Sequence, residues 1–314
     1  MLQPRKVIGA LLDNVSRVIV GKEEAIEYAL IALLCKGHVL IEDVPGVGKT
    51  TLAAALARSL DCSFRRIQFT PDLMPSDVTG YTLVNLRTGE EEFREGAIMS
   101  QMVLADEINR TSPKTQSALL EAMEEHQVTV DGVTHPLPSP FMVLATQNPG
   151  AFVGTYPLPE AQLDRFFLRI SIGYPTLAQE MDVLERYSGK TRPLEQLQPV
   201  CTADDVLALQ DLAASIYCSP EIRSYVASIA GATRKAQALQ LGLSTRAAIA
   251  LLRAGQACAL LSGRDYVVPE DIQHMALPVC CHRLSLQAEA RLQGMTAEQV
   301  MQTLLSALPV PVRL

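Results

Sequence analysis

This 314-residue sequence predicts an α/β fold in which a parallel sheet of five strands is covered by helices on both faces and followed by a smaller all-helical domain. Three observations carry that prediction. His38–Val–Leu–Ile–Glu–Asp–Val–Pro–Gly46–Val–Gly48–Lys49–Thr50 runs an apolar strand into a glycine loop and then into an Ala- and Leu-rich stretch, Thr51–Leu60. Apolar runs recur at 39–41, 64–69, 102–105, 141–145 and 168–172, spaced as a βαβ series requires. Beyond Gly173–Tyr–Pro175 no parallel-strand pattern continues, and apolar residues recur at spacings of three and four instead.

Each element follows in order. Residues 5–34 carry helical spacing on either side of Val18–Ile–Val–Gly21, which reads as a short extended lead-in to the core. Two insertions interrupt the strand–helix series. Pro71–Gly96 holds Tyr81–Thr–Leu–Val–Asn85 and Glu91–Glu–Phe93 about Arg87–Thr–Gly89, a hairpin. Val128–Thr–Val130 and Val133–Thr–His135 flank Asp131–Gly132, the strongest short-range hairpin signal a sequence offers. Both hairpins are expected to project from the core. The predicted boundary divides residues 1–175 from 176–314. In the second part, 203–217, 220–239, 244–262 and 269–283 read as helices, the last opening on Pro269–Glu–Asp271. No internal repeat or low-complexity tract is present.

Composition excludes several classes. At 48% hydrophobic and 19% charged the chain is globular and long enough for two domains. A net charge of −7 argues against non-specific nucleic-acid binding, which needs a basic face. The seven cysteines form no C-x-x-C pair, so reduced thiols in a cytoplasmic protein are expected. Ala29–Ile41 is too short, and too interrupted by Lys36 and His38, to span a bilayer, and the N-terminal segment lacks the apolar core of a signal peptide.

The glycine loop Val44–Thr51 has the build of a phosphate cradle. Loop and helix N–H groups present partial positive charge, glycine admits the phosphates closely, Lys49 reaches the β/γ oxygens and Thr50 ligates Mg²⁺. Asp43 stands where the full pattern places its first glycine, so that position must tolerate a side chain. Val103–Leu–Ala–Asp106–Glu107 is a strand ending in two acids at the same sheet edge. Asp106 suits the Mg²⁺ shell and Glu107 the orientation of an attacking water, the alternative being a strand exit with a capping acid. Phe141–Met–Val–Leu–Ala–Thr–Gln–Asn148 ends in an amide that suits the γ-phosphate or that water, or else only begins a turn at Pro149.

Further runs make the pattern specific: Phe69–Thr–Pro–Asp–Leu–Met–Pro–Ser–Asp77, Leu104–Ala–Asp–Glu–Ile–Asn–Arg110, Leu119–Leu–Glu–Ala–Met–Glu–Glu125, Ala145–Thr–Gln–Asn–Pro149 and Gly154–Thr–Tyr–Pro–Leu–Pro–Glu–Ala–Gln–Leu–Asp–Arg–Phe166. Together with the glycine loop they resemble the MoxR family of AAA+ ATPases, from Val20–Gly21 to Gly263–Arg–Asp–Tyr–Val267. The resemblance implies an AAA+ P-loop NTPase core, a helical lid, ATP and Mg²⁺ as ligands, a ring of subunits that is commonly a hexamer, and chaperone-like maturation of client complexes. That maturation includes metal or cofactor insertion beside a partner with a von Willebrand factor A domain. Gly46, Gly48, Lys49 and Thr50 match Walker A, with Val44, Pro45, Val47 and Thr51 around the phosphates. Asp106 and Glu107 match Walker B, and Asn148 matches sensor 1. Arg165 falls where an arginine finger is expected, with Arg110 as rival, and Arg246 falls at sensor 2. Val20 and Gly21 resemble the segment beside the adenine, although Lys22 replaces the more usual Gln. Arg169 reads as a salt-bridged or solvated surface residue. A magnesium-chelatase-type motor subunit is the nearest alternative, and a P-loop small-molecule kinase a more distant one.

Overall fold

The computed structural model describes residues 3–148, 154–189 and 191–311. Helices α1 (Pro4–Ser16) and α2 (Glu23–Leu34) precede β1 (Val39–Glu42), which feeds the glycine loop and α3 (Lys49–Ser59). After β2 (Phe64–Gln68) come α4 (Pro75–Thr79) and a hairpin of β3 (Gly80–Val84) and β4 (Glu91–Glu95). After β5 (Met102–Asp106) come a 3-10 turn (Ile108–Arg110), α5 (Pro113–Glu125) and a second hairpin, β6 (Gln127–Val130) with β7 (Val133–Pro136). β8 (Met142–Gln147), α6 (Glu160–Leu163) and β9 (Leu168–Ile170) complete the core. The helical part holds α7 (Leu177–Tyr187), α8 (Pro193–Gln196), α9 (Ala203–Ser215), α10 (Pro220–Lys235), β10 (Leu239–Leu241), α11 (Thr245–Leu261) and α12 (Pro269–Cys280). It ends with a 3-10 turn (Cys281–Arg283), β11 (Ser285–Leu286), α13 (Ala288–Leu292) and α14 (Ala297–Ala307).

The central sheet has the order β2-β5-β8-β1-β9, and every pair in it is parallel. Successive strand residues point to opposite faces, and here both faces are apolar. Val39, Ile41, Leu104 and Leu144 pack toward α1, α2 and α3. Leu40, Val103, Ala105, Val143 and Ala145 pack toward α5 and the hairpins. The carboxyl ends of β1, β5 and β8 therefore meet at one edge of the sheet.

Val18–Gly21 differs from the expected extended segment. Val18 and Ile19 N–H donate to the Val15 carbonyl at 3.0 Å, so the chain coils on from α1 into a turn. Both residues are buried, and their apolar character records that burial rather than a strand. The second hairpin is as its dipeptide requires: Asp131 and Gly132 take φ of 50° and 80°, the left-handed pair of a type I′ turn. The rings of Phe93 on β4 and His135 on β7 stack at 3.7 Å and 10°, joining the two hairpins to each other outside the central sheet.

Chain connectivity changes character between β9 and α7, but the apolar core does not. Val206 and Leu209 of α9, Leu251 and Ala254 of α11 and Ile272 of α12 belong to the same cluster as α1 to α3. Polar contacts reinforce the junction. Arg283, with only 4% of its side chain exposed, pairs with Asp164 through Nε at 2.7 Å and donates to the Phe166 and Phe167 carbonyls. Arg169 ties Glu42 at the end of β1 to Glu298 of α14. No helix among the described residues is long and apolar enough to cross a membrane.

Candidate functional site

The end of β1 turns through Asp43 into the loop. Asp43 Oδ2 accepts from the Ile172 and Gly173 N–H groups, both at 2.6 Å, and from the Ser171 hydroxyl, while Oδ1 accepts from Val44 N–H. Burial alone would raise this carboxyl, and the four donors outweigh it and hold the group below its ordinary value. The side chain in place of the usual glycine thus fastens the loop to the exit of β9. Gly46 and Gly48 lie at φ 86° and 92°, where a side chain would be strained. Gly48 is the N-cap of α3 and no side chain caps that helix, so its first N–H groups stay available to an anion.

A cavity of about 410 Å³ opens on this loop, lined by Pro45, Gly46, Gly48, Lys49, Thr50, Thr51, Arg66, Gln68, Asp106, Glu107 and Asn148. Lys49 Nζ donates to the Asp43 carbonyl at 2.6 Å and to Asn148 Oδ1 at 3.2 Å. Burial draws its ammonium below the ordinary value, against the pull of Asp43, Asp106 and Glu107. Val44 and Val47 belong to the loop without lining the cavity. Val20 and Gly21 lie in the turn before α2, where the Gly21 carbonyl accepts from Gln179 Nε2 at 3.1 Å and Lys22 Nζ donates to the Tyr174 carbonyl.

Thr146 orients both acids at the end of β5. Its hydroxyl donates to Asp106 Oδ1 at 2.6 Å and accepts from Glu107 N–H at 2.9 Å. Glu107 sits at φ 58°, a strained conformation for a non-glycine residue costing on the order of 1–3 kcal/mol, as functional sites often hold. Its carboxylate accepts from Asn148 Nδ2 at 3.2 Å, Gln68 Nε2 at 3.1 Å and Arg110 Nη1 at 2.8 Å. Arg110, the rival finger, is therefore engaged with its own subunit's Glu107. Asp106 Oδ2 faces the Arg66 guanidinium at 2.6 Å, so the carboxylate already accepts a cation, beside Thr50 in the same cavity. Those two oxygen donors suit a hard divalent ion. Pro149 of the Asn-Pro motif lies outside the described residues.

Arg165 and Arg246 stand elsewhere. Neither lines the cavity. Arg165 follows α6, and its Nη1 donates to the Leu120 carbonyl at 3.0 Å and pairs with Glu124 Oε2 at 2.6 Å. Arg246, in the first turn of α11, pairs through Nη2 with Oε1 of the same Glu124. Arg246 leads and Arg165 adds to a field that holds the Glu124 carboxyl below its ordinary value, burial opposing them.

A family model described as ATPases associated with various cellular activities matches residues 38–168, and an AAA lid model matches 231–304. Chaperone MoxR1 of Mycobacterium tuberculosis is 42% identical over 309 residues, 95% of this chain and 81% of its own length. The chain belongs to the MoxR family of AAA+ ATPases. The uncharacterized protein YeaC of Bacillus subtilis is 52% identical over 98% of this chain and 96% of its own. A crystal structure of a Cytophaga hutchinsonii protein assigned as an ATPase superposes with a TM-score of 0.92 at 40% identity, covering 98% and 96% of the two chains. An MCM homolog from Methanopyrus kandleri, at TM-score 0.59 and 20% identity over 87% of this chain and 59% of its own, shares the fold alone.

In this MoxR-family ATPase, sequence reasoning missed Arg66, Gln68, Thr146 and Glu124. Arg66 and Gln68 alternate with a buried Ile67 on the edge strand β2, a pattern that reads only as a solvated face until β5 is placed beside it. Thr146 was within reach, because it precedes Asn148 by two residues and so belongs to the same strand end.

Proposed function

We propose that the chain acts as a ring, six subunits in the family's common arrangement, in which each cavity takes Mg²⁺-ATP and is completed by Arg165 and Arg246 of a neighbour. Lys49, the loop N–H groups and the start of α3 bind the β- and γ-phosphates, and Glu107 orients the attacking water with Asn148 beside it. Thr50 and Asp106 would hold Mg²⁺, which when bound neutralises charge on the phosphate oxygens. The observation that carries the reading is that two arginines from different parts of the chain converge on Glu124, outside their own subunit's cavity. An arginine supplied in trans makes hydrolysis depend on assembly and is worth about 10³–10⁵ in rate.

The ring's work is the remodelling or maturation of client protein complexes, with a von Willebrand factor A domain partner. The stacked hairpins support that role. Joined through Phe93 and His135, they expose Leu83, Val84, Leu86 and Val133, none of which lines the phosphate cavity. Arg165→Ala and Glu107→Gln subunits, each nearly inactive alone, test the trans arrangement. Mixed assemblies are expected to regain ATPase activity, because some interfaces then pair an intact acid with an intact finger. No recovery in demonstrably mixed assemblies would refute the trans role.

A further inference from the structure

We infer that Glu124 is a positioning residue for hydrolysis, a carboxylate that holds Arg165 and Arg246 together as one two-pronged cation aimed at a neighbouring subunit's phosphate. The inference rests on the trans reading above and adds the group that assembles the two arginines.

Arg165 comes from the core and Arg246 from the helical part, and as like charges they repel when brought together. Glu124, at the last turn of α5, removes that repulsion by giving one oxygen to each: Oε2 to Arg165 Nη1 and Oε1 to Arg246 Nη2. The Leu120 carbonyl, one turn earlier on α5, accepts a second bond from Arg165 Nη1 and fixes the direction of that guanidinium. Each arginine spends a single terminal nitrogen on these contacts. A guanidinium carries five N–H donors in a planar fork, so the remaining edges suit bidentate binding of phosphate oxygens.

Stability does not account for the cluster. The Arg246 side chain is 53% exposed and those of Glu124 and Arg165 are 32% exposed, and ion pairs this open contribute little to folding. A second structural anchor already secures the same junction, since the buried Arg283 pairs with Asp164 next to Arg165, and the Ser244 hydroxyl near Arg246 reaches Asp164 Oδ2. What Glu124 uniquely provides is the shared placement of two charges.

The test uses the full chain with Mg²⁺-ATP. Glu124→Gln keeps the shape and removes the charge. It is expected to lower kcat roughly 10–100-fold, the scale for catalytic groups displaced by about an ångström, with nucleotide affinity within about twofold of the parent. Glu124→Asp, which restores the charge on a shorter arm, is expected to recover part of kcat. Mixed with Glu107→Gln subunits, Glu124→Gln subunits are expected to regain activity, as the Arg165→Ala subunits do. Parental or higher kcat in Glu124→Gln would overturn the inference and make Glu124 a competitor that parks the arginines. A fall in nucleotide affinity or melting temperature that tracks the fall in kcat would also overturn it, in favour of a structural role. If Arg165→Ala subunits complement while Glu124→Gln behaves as the parent, only this inference fails. If Arg165→Ala subunits do not complement, the trans reading itself fails.

Discussion

The phosphate cavity and the Glu124 cluster are two charged sites on one chain, and they are built in opposite ways. In the cavity every charge has an answering group from the same subunit: Lys49 with Asn148 and Asp43, Asp106 with Arg66 and Thr146, Glu107 with Gln68, Arg110 and Asn148. Around Glu124 two cations share one anion, leaving a net positive charge. A balanced cavity can bind its ligand alone. On the trans reading proposed above, the unbalanced cluster is half of a site whose missing anion is a neighbouring subunit's phosphate. On that reading a subunit binds nucleotide by itself while turnover waits for assembly.

That contrast can be broken most sharply at the two cationic residues that represent it. Lys49→Ala removes a charge-assisted contact to phosphate, worth about 1.5–3 kcal/mol, and is expected to weaken ATP binding by at least about tenfold. Arg165→Ala is expected to leave affinity within a few-fold and to abolish most turnover. Equilibrium nucleotide binding measured on both variants decides the point, and equal losses of affinity would erase the distinction. The cluster's structural surroundings are tested by Asp164→Asn, beside Arg165. It strands the buried Arg283 guanidinium without its carboxylate, which costs about 3–5 kcal/mol in such settings, and a large drop in melting temperature is the expected readout.

Acid is expected to act on the fold that carries both regions. His38, just before β1, accepts from Val143 N–H and faces the Met123 carbonyl, and burial pushes its pKa down to about 4. His282, against the Phe166 carbonyl beside Arg165, is pushed well below its ordinary value by burial and by Arg283. Both are neutral when folded and take up protons on unfolding below about pH 6.5, so stability falls as pH drops through that window toward 4, and for His38 it levels off there. Unfolding measured across pH 4–7 should give a free energy that declines with acid; a flat profile would contradict the neutral, buried assignment. The smallest effect belongs to Arg66→Ala. With the guanidinium gone from Asp106, Mg²⁺-dependent nucleotide binding is expected to need a few-fold less Mg²⁺, and an unchanged Mg²⁺ titration would mean that the pair does not compete with the ion.

The cavity was far more legible in the sequence than the cluster, for a physical reason. Gly46, Gly48, Lys49 and Thr50 are consecutive or nearly so, and the acids 106–107 and Asn148 sit at strand ends that the parallel topology brings to one edge. Local spacing plus one topological rule suffices to assemble them. Glu124, Arg165 and Arg246 lie on α5, after α6 and on α11, and nothing in their spacing encodes their meeting. The same holds for smaller features. The Asp131–Gly132 hairpin was readable because its turn geometry is local, whereas α7, α14 and the β10–β11 pair depend on distant packing. Val18–Gly21 misled because burial and extension leave the same apolar signature over four residues.

The central claim is that binding is complete within one subunit and hydrolysis is not. Nucleotide affinity and ATPase rate per subunit, measured on the same samples over a dilution series that spans assembly, test it directly. The account predicts an affinity set by the cavity and constant across the series. It predicts a rate per subunit that rises with protein concentration and loses that rise in Arg165→Ala. A rate per subunit that stays constant down to concentrations where the chain is monomeric would contradict it.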